Sequence, residues 1–151
     1  MIMGTDIHTH VEVLGTDGKW HLEAGDPFAW RNYGMFGFLA NVRNYSRVPV
    51  ISEARGIPED ACDEIRRESE WVDAHSRSWL GLRELLEYDY DREFWDQRVM
   101  RNGNGAARAE PGEGRTLTIR EFLGEGFFDD LARLEAVADR DRVRVVFWFD
   151  N

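Results

Sequence analysis

At 151 residues, 42% hydrophobic and 13% aromatic, the chain can bury a real core, and its length predicts a single domain over residues 1–151. A net charge of −10 at pH 7 excludes a non-specific nucleic-acid binder, which needs a basic footprint, and disfavours adhesion to an anionic membrane. That charge stays compatible with a phosphorylated small-molecule ligand held in a local basic pocket.

Cys62 is alone, so no intrachain disulfide forms. The sequence has no apolar run long enough to span a bilayer and no basic-then-apolar leader, so a cytoplasmic placement is expected. Lys19 is the sole lysine among 19 basic residues. A GC-rich coding sequence accounts for that skew, although arginine also suits bidentate pairing with carboxylate and phosphate. Oligomeric state is left open.

In chain order, residues from Met3 to Leu14 alternate as a strand does. Ile7, Val11 and Val13 share one face with Thr5 and Thr9; Asp6, His8, His10 and Glu12 share the other. Gly15-Thr16-Asp17-Gly18 predicts a turn into a second strand, Lys19 to Glu23, with Trp20 and Leu22 on one face. A loop follows, then a short helix from about Met35 to Asn44. Val48 to Gly56 has no clean period. Pro58, with Glu59 and Asp60 behind it, predicts a helix start, running to about Glu70.

Ser78 is placed as the N-cap of a helix from Trp79 to Tyr88, buried through Leu82, Leu85 and Leu86. Asp91 caps a further short helix with Phe94, Trp95 and Val99. The stretch from Asn102 to Gly114 holds four glycines and a proline and predicts a mobile surface loop. Thr118 and Glu121 have capping-box spacing, and Phe127, Leu131, Leu134 and Val137 mark an amphipathic helix ending near Ala138. Arg142 to Phe149 is a dense β-type run that belongs in the centre of a sheet. These elements predict an α+β fold. A small, mainly antiparallel sheet takes the N-terminal hairpin and the C-terminal strand, with about five short helices on one face.

The polar face of the first strand carries side chains that bind metals and move protons. Asp6, His8 and Glu12 are the candidate ligands, for zinc or manganese given mixed imidazole and carboxylate donors. His75, in Asp73-Ala74-His75-Ser76-Arg77-Ser78, sits ahead of the expected helix start, a place suited to an anion or a catalytic group. Asp73 and Ser76 join it as candidate ligand contacts. Arg43, Arg55 and Arg77 are candidates for a phosphate or carboxylate clamp, with Glu53 beside Arg55. Strand parity puts Asp150 on the face of Arg144, Val146 and Trp148. If the first and last strands pair, Asp150 approaches Asp6 or His8. His21 is read as a surface residue.

Met3-Gly4-Thr5-Asp6-Ile7-His8, Ile51-Ser52-Glu53-Ala54-Arg55-Gly56-Ile57-Pro58, His75-Ser76-Arg77-Ser78-Trp79-Leu80 and Phe147-Trp148-Phe149-Asp150-Asn151 resemble segments of a group of small uncharacterised bacteriophage and bacterial proteins. Where that group has Cys, this chain has Thr5, and His10 is not a regular feature of the group. The resemblance therefore points to Asp6, His8 and Glu12 with His75. It implies a phage setting, hence host cytoplasm, and makes an antagonist of host defence a reasonable role. The expectation is a small hydrolase acting on a phosphorylated or nucleotide-like substrate, with Asp6, His8 and His75 catalytic. The alternative is a non-catalytic module that binds a nucleotide or blocks a host partner.

Overall fold

The run Val143–Asp150 is the spine of the main sheet. The computed structural model describes residues 4–98 and 114–150. In chain order the elements are β1 (Asp6–Leu14), β2 (Trp20–Glu23), α1 (Tyr33–Ala40), α2 (Asp63–Ser69), β3 (Ala74–Gly81), α3 (Leu82–Glu87), β4 (Glu93–Asp96), β5 (Arg115–Thr118), α4 (Ile119–Leu123), α5 (Glu125–Glu135) and β6 (Val143–Asp150). The fold is α+β. No helix among the described residues is long and apolar enough to cross a membrane.

The chain divides into two compact units, the first from residues 1–31, 54–88 and 125–151, the second from residues 32–53 and 89–124.

In the first unit a four-stranded sheet runs β2-β1-β6-β3, with every pairing antiparallel. β6 is central and buried from Val143 to Phe149, as its β-branched and aromatic run requires. Its register with β1 sets Asp6 opposite Asp150, His8 opposite Trp148, His10 opposite Val146 and Glu12 opposite Arg144. One sheet face is therefore apolar, with Ile7, Thr9 and Val11 beside Val145, Phe147 and Phe149. The other mixes imidazole, carboxylate, guanidinium and indole.

Both faces are covered, which corrects the expectation of helices on one face only. Ile65 of α2 and Ala61 pack on Val146 and Trp148 over the polar face. On the apolar side, Leu134 of α5 and Val11 of β1 line one cavity of about 380 Å³. A strand covered on both faces can carry the unbroken apolar run of β6.

Within the first unit, the first correction is α2. It begins at Asp63, not at Pro58, whose carbonyl instead accepts from Ala61 N–H in a turn. The second is larger. Ala74–Gly81 is a strand, and the helix expected from Trp79 is the shorter α3. Ser78, expected as a cap, is buried opposite Phe147, and Leu80 lies opposite Val145. Pairing with β6 outweighs the local cap signal. The Glu84 carboxylate closes the start of α3 by accepting from Gly81 N–H at 2.7 Å. A bulge between His75 and Ser78 puts Ser76 and Arg77 opposite Trp148, with Ser76 in the left-handed region at φ 53°. α5 ends at Glu135, short of Ala138, and Val137 lies beyond it.

In the second unit, α1 runs from Tyr33 to Ala40, against the expected Met35 to Asn44. The Asn32 side chain caps it by accepting from Met35 N–H, and Asn41 ends it in the left-handed conformation. The helix expected from Asp91 is instead strand β4, paired with β5. Phe94 and Trp95 are good strand residues, and the partner strand decides the outcome. Val99 and residues 102–113 of the expected mobile loop lie outside the described residues. The capping box forms as expected: Thr118 Oγ1 accepts from Glu121 N–H, and Glu121 Oε1 accepts from Thr118 N–H.

Candidate functional site

The polar face of β1 survives as a face, but its residues are divided among different partners. Asp6 Oδ1 accepts from Arg31 Nε at 2.9 Å, exposed to solvent. His8 Nε2 lies 2.6 Å from Asp150 Oδ2, the pairing that strand parity anticipates. His10 Nε2 lies 2.7 Å from Glu68 Oε2. Glu12, fully buried, accepts from Arg144 Nε at 2.7 Å and from Cys62 N–H at 2.8 Å.

Glu12 is thus a structural residue. Its carboxylate meets the start of α2, where unpaired backbone N–H groups favour an anion. Arg144 carries the compensating charge. Its guanidinium lies 3.9 Å from the Trp20 ring centre, and its Nη2 lies 3.0 Å from Asp60 Oδ1. That last contact is an ion pair without hydrogen-bond alignment.

The expected metal set of Asp6, His8 and Glu12 does not assemble. Asp6 turns to Arg31 and Glu12 to Arg144 and Cys62. Among the described residues no three His, Cys, Asp or Glu side chains converge to hold an ion. The donor set does not fit zinc or manganese.

His75 does not join His8 either. It pairs with Phe149, which pairs with Ile7, so it stands on the apolar face, opposite to His8. Its Nδ1 lies 3.0 Å from Ser76 Oγ and its ring stacks over Phe149. The proposed arginine clamp is also dispersed. Arg55 grips Glu84 through both terminal nitrogens, at 2.5 and 2.8 Å, and lies over the Trp79 ring. Arg77 Nε donates to Ser69 O, tying β3 to the end of α2. Arg43 donates to Tyr45 Oη and lies over Tyr33, in the second unit. Glu53 is exposed in that same unit, and Asp73 is exposed before β3.

The Arg55–Glu84 pair has a pH signature. Burial pushes the Glu84 carboxyl up, but the Arg55 and Gly81 hydrogen bonds outweigh it and hold the group below its ordinary value. A depressed carboxylate stabilises the fold above its unfolded pKa, and that contribution is lost as pH falls through the folded one. Arg55→Ala is therefore expected to raise the Glu84 pKa, measured by NMR titration. An unchanged value would show the pair to be incidental.

What the sequence missed is the surface that surrounds His8. His8, Arg67, Glu68, Glu70, Trp71 and Trp148 line an open cleft of about 510 Å³, within the size range of small-molecule sites. Trp148 is its floor, stacked with His10 at 4.7 Å and His8 at 6.4 Å. Trp71 stands at 76° to His8 with ring centres 6.0 Å apart. Half of Trp71 is exposed, an unusual state for so large a ring. The one signal in the sequence was an indole placed directly after the acidic end of a helix.

Chemically, the cleft offers an imidazole whose orientation is fixed by a carboxylate, the arrangement that prepares histidine for proton transfer. The described lining residues contribute no hydroxyl or thiol. Cys62 lies elsewhere, and burial pushes its thiol up to about 11, which leaves little thiolate. No family model, curated protein or solved structure matches this chain.

Proposed function

We propose that the protein binds a nucleotide-like small molecule in the His8 cleft and hydrolyses it without a metal ion. The observation behind this reading is the His8–Asp150 pair, 2.6 Å apart, on the wall of an aromatic-lined cleft. With no hydroxyl or thiol among the described lining residues, water is the attacking group in this reading. For a phosphate ester, His8 takes the proton of that water as its oxygen adds to phosphorus. The bond to the leaving oxygen breaks, and the proton passes to that oxygen. Asp150 holds the imidazole in place and balances its charge while the proton resides there.

A second reading has the same cleft retaining its ligand unchanged, as a nucleotide-binding module. The absence of hydroxyl and thiol groups from the described lining residues favours it, because no serine-, threonine- or cysteine-bound intermediate is available there.

His8→Ala is expected to reduce hydrolysis of a responsive nucleotide by about 10²–10⁴-fold, the usual weight of a general acid or base. Its melting temperature should stay close to wild type, since His8 is part-exposed and Ile7 and Val11 supply the packing. Turnover equal to wild type would remove His8 from the chemistry. Ligand released intact by heat from wild-type protein would leave the binding module standing.

A further inference from the structure

We infer that the cleft reads the base end of its ligand, preferring an amino-bearing nucleobase that carries no more than one phosphate. This rests on the nucleotide-like reading above and narrows it.

The argument comes from which charges in the lining are already committed. Glu68 is held by His10 and His8 by Asp150. Among the described lining residues, Arg67 and Glu70 make no side-chain hydrogen bond or ion pair. The cleft therefore presents one available cation and one available carboxylate. Glu68 and Glu70 line the same cleft, Glu64 interacts electrostatically with that cation, and the chain as a whole carries −10. A triphosphate would bring several negative charges against a single guanidinium in an acidic field. A nucleoside or its monophosphate brings none or nearly two.

The ring contact has its own evidence. Trp71 is half exposed and does not stack on His8, to which it is inclined at 76°. Its indole is thus available to a planar partner, and base stacking on an aromatic ring tolerates any base. Glu70 adds discrimination. A carboxylate accepts hydrogen bonds only, so it pairs with the exocyclic amino group of adenine or cytosine, where uracil presents a carbonyl.

The test is titration calorimetry at low salt with AMP, ATP, CMP and UMP on wild type, Trp71→Ala, Glu70→Gln and Arg67→Ala. All three substitutions fall on exposed side chains, and melting curves check folding. AMP should bind at least about tenfold more tightly than ATP, and Trp71→Ala should weaken AMP by about tenfold. Glu70→Gln should narrow the preference for CMP over UMP. Arg67→Ala should weaken AMP more than it weakens adenosine. Tighter binding of ATP than AMP, or AMP binding indifferent to Trp71→Ala, overturns the inference. If that indifference is joined by turnover that still requires His8, the hydrolase reading stands without it. Selective AMP binding without turnover supports the inference and removes the hydrolase.

Discussion

Arg144→Ala is expected to destabilise the protein by about 3–5 kcal/mol, the range for removing one member of a buried ion pair. Arg144 is 5% exposed and Glu12 is 0% exposed. Without the guanidinium, the Glu12 carboxylate stays buried with Cys62 N–H as its remaining hydrogen-bond partner. The Trp20 ring also loses the cation packed on it. The double variant Glu12→Leu/Arg144→Met removes both charges and keeps the volume, so it should recover most of the loss. Urea melts of the two variants decide the matter. An Arg144→Ala loss under about 1 kcal/mol would mean the pair is solvated rather than buried.

Phe147→Ala should cost a similar amount, about 3–5 kcal/mol, for a different reason. The ring is 1% exposed and meets Phe149 edge-on at 5.9 Å. Its strand partners on either side are Thr9 and Ser78, neither of which can expand into the space. The cavity therefore stays open, and the loss includes the missing contacts as well as the lost transfer free energy. A urea-melt change well under about 1 kcal/mol would place Phe147 outside the core.

Particular residues show why some of this was legible in the sequence. β1 and β6 announce themselves by strict alternation and by a dense β-type run, and parity, given that the two strands pair, placed Asp150 near Asp6 or His8, of which His8 is its side-chain partner. Thr118 and Glu121 gave a local signal that the fold keeps. β3 was hidden because its signals conflict. Ser78 and the following leucines have helical spacing, while the strand pairing that overrides them lies about seventy residues further on, opposite Phe147 and Val145. Ser76 takes a left-handed conformation that serine does not advertise. The Glu12–Arg144 pair joins residues 132 apart in sequence, and nothing local distinguishes Arg144 from a surface arginine. The cleft was hidden for a similar reason. It forms where the end of α2 meets β1 and β6, and periodicity along one segment says nothing about its neighbours.

The strand order β2-β1-β6-β3 also governs how the protein is made. β1 and β3 never bond to each other; each bonds to β6, which is synthesised after both. Until residues 143–150 leave the ribosome, β1 has only its hairpin with β2, and β3 is a strand without a sheet. Glu12 waits without Arg144, and His8 without Asp150. Sheet closure thus waits for the last of its four strands to be synthesised, across a sequence separation of up to 144 residues between Asp6 and Asp150. Such long-range closure is slow. A nascent chain that stalls before β6 exposes strand edges and apolar side chains meant for the interior, and is a natural client for chaperones.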